Sequence, residues 1–112
     1  MKFKTKEQKG ITIIGLEGNV MGGPDASLLN ELLHKLVKEG NKKIVLDLAS
    51  VKLMNSSGLG MLIAALTTMR NASGDLKIAA ASKKIENLFI ITKLTNLFEN
   101  HKTVKKAVES YI

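Results

Sequence analysis

Two adjacent serines, Ser56 and Ser57, stand in the stretch "MNSSGLG" and are followed by glycines at positions 58 and 60. A serine hydroxyl in such a place has two uses. It can accept a hydrogen bond from the backbone N–H groups that open a helix, or it can carry a phosphoryl group, which those N–H groups and the helix dipole then stabilise. The local residues alone favour the first use, a helix cap formed by Asn55, Ser56 or Ser57.

The residues around the serines do not match the motifs of the enzyme classes that use such a serine or glycine-rich loop. A nucleophile elbow needs a glycine two positions before the serine, and Met54 and Asn55 stand there instead. A dinucleotide-binding loop needs a third glycine where Ile63 stands, and the Gly-Lys-Ser/Thr run of a P-loop is absent. His34 and His101 lack the spacing of metal ligands. The sequence therefore predicts no enzyme, no catalytic residue, no metal site and no cofactor.

The composition of the 112 residues limits the partners and the compartment. The formal net charge is +7, but the lysines are scattered, Arg70 is the one arginine, and no tryptophan is present to stack on bases. We therefore expect no nucleic acid, whereas an acidic protein partner is compatible with the charge. No cysteine is present, and no apolar run approaches the roughly 20 residues of a membrane span. The expectation is a cytoplasmic protein with no membrane association, folded as one domain over residues 1–112.

Apolar spacing predicts alternating strands and helices along the chain. Short β-branched runs indicate strands, whereas leucines that recur every three or four residues indicate amphipathic helices. Proline and glycine mark helix ends, since proline suits a first turn and glycine a C-terminal cap. The predicted elements are, in order, strands over 2–7 and 11–16, a helix from Pro24 to Gly40, a strand over 43–48, a helix from the serine motif to 71–75, a strand over 76–81, a helix from Ser82, a weak strand over 97–100 and a helix from Thr103.

This order predicts an α/β fold, with a small mixed, mostly parallel sheet of four to five strands flanked by about four helices. Strand 43–48 is apolar at nearly every position, which indicates a central strand covered on both faces. In such folds functional sites lie at the carboxyl ends of the strands, where loops lead into helix N-termini. The serine motif follows strand 43–48 at such a place. An anion bound there would meet the free N–H groups of the first turn.

Three segments carry a resemblance to a known family, namely "GLEGNV", "IVLDLASVKLMNSSGLGML" and "LKIAAASKKIENLFIITKL". Together they resemble the STAS domain of bacterial anti-sigma factor antagonists, over essentially the whole chain. The resemblance implies that Ser56 is a phosphorylation site. It also implies two partners, a GHKL-type serine kinase that is itself an anti-sigma factor and a metal-dependent serine phosphatase. Asn55 and Met21 depart from the family pattern, because many members have an acidic residue at these positions.

The hypothesis that follows is a partner switch. Unphosphorylated, the chain binds the kinase and frees its client; phosphorylated on Ser56, it lets go, because new charge must be desolvated at the interface. Ser57 is the alternative acceptor and is expected rather to cap the helix. The expected binding surface combines loop 19–25, loop 50–57 and the start of the second helix, and its residues are Asn19, Met21, Asp25, Met54, Asn55, Ser57, Gly58, Leu59 and Gly60.

A second hypothesis uses the same helix N-terminus without covalent chemistry. The chain would then be a small-ligand or nucleotide-phosphate binding module, with a ligand phosphate on the first-turn N–H groups. A covalent phosphate retained on Ser56 after denaturation supports the switch, whereas a small molecule lost on denaturation supports the ligand module.

Overall fold

Strands and amphipathic helices alternate along the chain and build a five-stranded sheet with helices on both faces. The computed structural model describes residues 1–112. The strands are β1 (Lys2–Gln8), β2 (Ile11–Val20), β3 (Lys43–Met54), β4 (Asp75–Ala79) and β5 (Asn100–His101). The helices are α1 (Pro24–Lys38), α2 (Ser56–Asn71), α3 (Lys83–Ile91) and α4 (Val104–Glu109).

The strand order across the sheet is β1-β2-β3-β4-β5. β1 and β2 form an antiparallel hairpin that turns at Gly10, and every later neighbouring pair is parallel. A helix joins the two strands of each parallel pair, because parallel neighbours need a crossover connection. The predicted small, mixed and mostly parallel sheet with four helices is confirmed, and β3 is confirmed as a central strand.

Alternate residues of the strands face opposite sides of the sheet and fill two apolar cores of unequal size. The larger core lies under α1, α2 and α3 and receives Leu46 and Ile78 from the sheet. The smaller core lies under α4 and receives Val45 and Ala79. β3 is therefore covered on both faces, which explains why its first half is apolar at consecutive positions.

The first helix begins and ends as predicted. Pro24 occupies its first turn, where the missing N–H leaves no hydrogen bond unmade. Gly40 follows its end with a φ of +88°, a conformation that glycine adopts without strain. Leu29, Leu33 and Leu36 form its buried face. None of the four helices combines the length and the apolar composition that crossing a membrane requires.

β2 and β3 are both longer than predicted. β2 runs to Val20 and β3 to Met54, and these two residues pair with each other. Glycines within β2 hide its continuation in the sequence, because glycine weakens strand propensity. The register between the two strands shifts twice, between Gly15 and Glu17 and again between Gly18 and Val20. Such irregularities interrupt the alternation of apolar residues by which a strand is recognised.

The longer strands correct the predicted loops beside the serine motif. Asn19 belongs to β2, so the predicted loop 19–25 is reduced to the short segment between Val20 and Pro24. The predicted loop 50–57 is wrong as a loop, because β3 leads into α2 through Asn55 alone.

The predicted strand over 97–100 is also wrong in its position. β5 comprises two residues, Asn100 and His101, and pairs with the end of β4. Phe98 turns into the larger core instead, where its ring centroid lies 5.6 Å from that of Phe89. A buried aromatic residue in a short apolar run resembles a strand in sequence, although its side chain here anchors a connection.

Candidate functional site

The serine motif lies where the carboxyl ends of two neighbouring parallel strands meet. Val20 and Met54 are the last residues of β2 and β3 and stand opposite each other. Asn55 follows directly, and its backbone N–H donates to the Val20 carbonyl oxygen at 3.3 Å. The start of α2 is thereby tied to both strands. The predicted placement of the motif at the carboxyl edge of the sheet is confirmed by these contacts.

Asn55 is the N-cap of α2. Its side-chain Oδ1 accepts a hydrogen bond from the Gly58 N–H at 2.8 Å, and its carbonyl oxygen accepts one from the Leu59 N–H at 2.9 Å. The expectation that Ser57 caps the helix is therefore wrong. Asn55 takes this role because its amide oxygen reaches the third residue of the helix from the position before it.

The capping asparagine leaves both serine hydroxyls free. Ser56 and Ser57 occupy the first two positions of α2 and are exposed to solvent. Neither hydroxyl makes a hydrogen bond within the chain. Each hydroxyl is thus accessible to a modifying enzyme without the loss of an internal hydrogen bond.

Ser57 differs from Ser56 in its contact with the segment between β2 and α1. Gly22 lies against Ser57 with a φ of +83°, and a Cβ atom on Gly22 would stand 2.8 Å from the Ser57 Cβ. Gly22 is therefore required both for its backbone conformation and for the space that Ser57 occupies. The segment that carries Met21 and Gly22 thus packs on Ser57, while Ser56 lies one position nearer to β3.

Gly58 and Gly60 serve different purposes. A Cβ atom on Gly58 would stand 1.8 Å from the Val20 carbonyl oxygen, so α2 can approach β2 only with glycine at this position. A Cβ atom on Gly60 would meet nothing within 4 Å, and Gly60 is exposed. The fold needs Gly58, whereas nothing within the chain requires a glycine at position 60.

The electrostatic setting of the site is a helix N-terminus whose own first turn carries no charge that offsets the helix dipole. The first turn of α2 contains no acidic residue, whereas Asp25 stands in the first turn of α1 and Glu86 in that of α3. The capping side chain of Asn55 is neutral as well. The partial positive charge of the first-turn N–H groups is thus open to an external or covalent anion.

The other residues predicted for partner binding divide into exposed and buried ones. Asn19 and Met21 are exposed, and Asp25 and Met54 are partly buried. Leu59 is 5% exposed and belongs to the larger core, so the prediction that its side chain contacts a partner is wrong. An apolar residue in a glycine-spaced motif reads equally well as surface or core until the helix face is known.

A second polar cluster, which the sequence analysis does not predict, lies on the face of the sheet that α4 covers. The ammonium group of Lys77 contacts the Ser110 hydroxyl at 2.7 Å and the Glu99 carboxylate at 3.3 Å, and it lies 4.1 Å from the centre of the Tyr111 ring. Although burial acts to raise it, hydrogen bonds from His101 and Lys77 hold the pKa of Glu99 below its usual range. Burial raises the pKa of Tyr111.

The Lys77 cluster fastens the end of the chain to the sheet. Tyr111 donates its hydroxyl to the Ile44 carbonyl oxygen at 2.8 Å, and Lys77 donates to the Ser110 carbonyl oxygen at 3.2 Å. Every one of these groups has a partner within the cluster. The one sequence signal was a lysine inside the apolar run of β4, where an unpaired charge would be costly.

The five-stranded sheet, the crossover helices and the serine motif at a helix start define a protein class by their arrangement, and comparison with known proteins agrees. Residues 2–107 match the STAS domain family, and the chain belongs to this family. No group of three or more histidine, aspartate or glutamate side chains is placed to hold a metal ion.

Three relatives show how far the likeness extends. The anti-sigma-B factor antagonist of Staphylococcus epidermidis is 35% identical over 69 residues, which make up 62% of this chain and 64% of that protein. The match thus spans somewhat less than two thirds of the curated relative. The crystal structure of a protein from Thermotoga maritima superposes with a TM-score of 0.85 at 21% identity, covering 96% of this chain and 92% of that one.

The third relative is SpoIIAA, an anti-sigma factor antagonist and Bacillus cell fate determinant. Its unphosphorylated form has a TM-score of 0.71 at 14% identity, covering 98% of this chain and 97% of SpoIIAA. Its phosphorylated form has a TM-score of 0.73 at 15% identity, covering 99% of this chain and all of SpoIIAA. At such identities the two structures establish a common fold.

Proposed function

We propose that this chain is an anti-sigma factor antagonist switched by phosphorylation of Ser56. Unphosphorylated, it binds a GHKL-type serine kinase that acts as an anti-sigma factor, and the kinase then releases its client. Phosphorylated, it lets the kinase go, and a metal-dependent serine phosphatase restores it. The switch operates in the cytoplasm, with residues 1–112 acting as one binding domain.

The observation that carries this proposal is the free hydroxyl of Ser56 at an uncompensated helix N-terminus. A phosphoserine carries about −1.5 to −2 charges at pH 7, and first-turn N–H groups favour such charge. Since Asn55 already caps the helix, the modification breaks no internal hydrogen bond. The fold can accept the phosphate, so we expect phosphorylation to change the binding of the partner rather than the structure of the chain.

Release of the partner needs only a modest energy. A partner surface that covers Ser56 would have to desolvate the phosphate or oppose it with its own carboxylates. A loss of about 3 kcal/mol in binding free energy lowers the affinity more than a hundredfold. One modified hydroxyl is therefore sufficient for a switch, with no rearrangement of the sheet.

The surface around Ser56 has the form expected of a docking site. We name the Ser56 surface as the exposed or partly exposed residues Asn19, Met21, Asp25, Met54, Asn55, Ser56, Ser57 and Gly60. Gly60 supports this assignment, because a glycine inside a helix costs about 1 kcal/mol relative to alanine and no contact within the chain compensates for it. A bare backbone at an exposed helix position permits close approach of a partner. Met21 adds an exposed, adaptable apolar side chain beside it.

The relatives support the same function. The Staphylococcus epidermidis protein is named as an anti-sigma-B factor antagonist. SpoIIAA is an anti-sigma factor antagonist that exists in phosphorylated and unphosphorylated forms. A chain of the same fold with a free serine at the start of α2 is suited to the same regulation.

The test begins with the native partner. The tagged chain is used as bait in an extract of the source organism, the bound kinase is identified and purified, and phosphate transfer from ATP is mapped by mass spectrometry. We expect incorporation at Ser56, complete loss in Ser56→Ala and retention in Ser57→Ala. Phosphate on the Ser56→Ala protein would refute the site. A Ser56→Asp chain that binds the kinase as tightly as the wild type would refute the switch.

The alternative, a small-ligand or nucleotide-phosphate binding module, is separated by native mass spectrometry of the purified chain. A bound small molecule that is lost on denaturation would favour it, whereas a covalent phosphate retained on Ser56 favours the switch.

A further inference from the structure

An apolar groove lies between the end of β3 and the outer side of α3. Its volume is about 280 Å³, and we refer to it as the β3–α3 groove. It begins at Met54, the residue before the cap of α2, so it adjoins the Ser56 surface. The six residues that line it are Met54, Lys84, Ile85, Asn87, Leu88 and Ile91.

The fold accounts for Met54 and Leu88, which pack against the larger core, but not for Ile91 in the same apolar wall. Ile91 is 76% exposed and Leu88 is partly exposed, although Ile85 on the same helix is fully buried and supplies the packing of α3 on the sheet. Single exposed apolar residues are ordinary, but here Met54, Leu88 and Ile91 share one concave surface. Ile91 therefore presents a large apolar side chain to solvent in a concave surface beside the Ser56 surface, and no contact within the chain requires it there.

The charges around the groove indicate the chemistry of its occupant. Lys84 forms part of the wall, Lys83 precedes it, and no carboxylate lines the groove. The chain as a whole carries a net charge of +7, which disfavours a second copy of itself at this place. The groove suits a partner segment that presents a large apolar side chain flanked by acidic residues.

We propose that the β3–α3 groove is a second contact for the kinase that docks on the Ser56 surface, and that it receives an acidic, amphipathic segment of that kinase. The proposal rests on the function proposed above. The groove adds an apolar contact that phosphorylation of Ser56 does not alter. This contact contributes to the affinity for the kinase, whereas phosphorylation of Ser56 causes the kinase to dissociate.

Two adjacent isoleucines provide a matched test. Ile91 lines the groove, whereas Ile90 is 60% exposed and lines a different groove with Glu86 and His101. We expect Ile91→Asp to weaken binding of the purified kinase about tenfold or more in calorimetric titration, as truncation of an interface anchor does, and Ile90→Asp to change it less than about twofold. Both variants should lower the thermal midpoint by a similar small amount, since both side chains are exposed and both new carboxylates stand in the last turn of α3.

Two adjacent lysines test the charge of the occupant. Lys84→Glu should weaken binding more than Lys83→Glu, although both change the net charge equally, because only Lys84 lines the groove. Equal affinities within either pair, or binding that is unchanged in Ile91→Asp, would overturn the groove assignment. Self-association of the wild type that Ile91→Asp abolishes, with kinase affinity unchanged, would also overturn it in favour of a second copy.

The outcomes for the groove and for the switch are separable. If Ser56 is phosphorylated and Ser56→Asp loses the kinase while Ile91→Asp binds as the wild type does, the groove assignment fails and the switch stands. If Ile91→Asp loses affinity while Ser56→Asp binds normally, the groove stands as a contact and the switch fails. Phosphorylation of Ile91→Asp at saturating kinase confirms that its Ser56 surface is intact.

Discussion

The second and third helices both have serine at their start, yet the serine hydroxyls have opposite roles. In α3, Ser82 is itself the N-cap, and its hydroxyl accepts a hydrogen bond from the Ile85 N–H at 3.3 Å. In α2, Asn55 is the cap, and Ser56 and Ser57 follow it without internal partners. The fourth helix repeats the arrangement of α3, with a capping Thr103.

The comparison shows how a chain makes a hydroxyl available without weakening a helix. A serine at the N-cap is occupied by a first-turn N–H, and modifying it would remove the cap. An asparagine at the N-cap takes over that hydrogen bond and moves the serines one and two positions into the helix. The first-turn N–H groups and the free hydroxyl are then both present at one helix start, as a regulatory phosphate requires.

The largest expected effect concerns the contact that holds the start of α2 in place. Gly58→Ala puts a methyl group onto the Val20 carbonyl oxygen, so either the helix or the strand must shift. We expect the free energy of unfolding to fall by about 3 kcal/mol, at the upper end of what overpacking costs. Urea denaturation measures this, with Gly60→Ala as the control. Equal stabilities of the two variants would show that α2 is not seated on β2 by this glycine.

The N-caps of α2 and α3 are different residues, but both should contribute a similar free energy to stability. Asn55→Ala and Ser82→Ala each remove a side-chain acceptor from a first turn, and each should lower the free energy of unfolding by about 1 kcal/mol. Ser57→Ala removes no cap and should leave the free energy of unfolding unchanged. The assignment of caps would be reversed by a loss of stability in Ser57→Ala together with none in Asn55→Ala.

Gly60→Ala should raise stability rather than lower it. Because its Cβ would meet open space, only helix propensity changes, and the free energy of unfolding should rise by about 0.5 to 1 kcal/mol. A larger residue, as in Gly60→Phe, should leave the fold intact while blocking the kinase in a binding titration. Normal kinase affinity in Gly60→Phe would place this position outside the docking surface.

Periodic elements could be predicted from the sequence, whereas the join between β3 and α2 could not. The leucine spacing of α1 and the apolar run of β3 each match one regular structure, because their burial is continuous. Residues 50–54 mix polar and apolar side chains, a pattern that predicts a loop, although the structure continues β3 through them across a register shift. Strand pairing with the end of β2, a contact distant in sequence, decides their conformation.

The candidate site likewise has features that the sequence predicts and features that only the structure shows. The position of the motif at a helix start followed from strand and helix order alone. Which of Asn55, Ser56 and Ser57 caps the helix did not, because all three residue types are good caps and the choice depends on backbone angles. The buried position of Leu59 agrees with its helical spacing to Leu62, Leu66 and Met69, so the apolar face of α2 was predictable although the same residue was also expected at the partner surface.

The smallest expected effect is that of the modification itself on the fold. Phosphate on Ser56 should raise the free energy of unfolding by about 0.3 to 1 kcal/mol at low ionic strength, because it faces the uncompensated N-terminus of α2. The gain should fade as salt is raised, since exposed charges are screened over about 8 Å at physiological ionic strength. Ser56→Ala should lie within about 0.5 kcal/mol of the wild type, as for any exposed side chain without partners. A phosphorylated chain less stable than the unmodified one at low salt would mean that the phosphate acts by opening α2, and a switch by local unfolding would then replace a switch by surface charge.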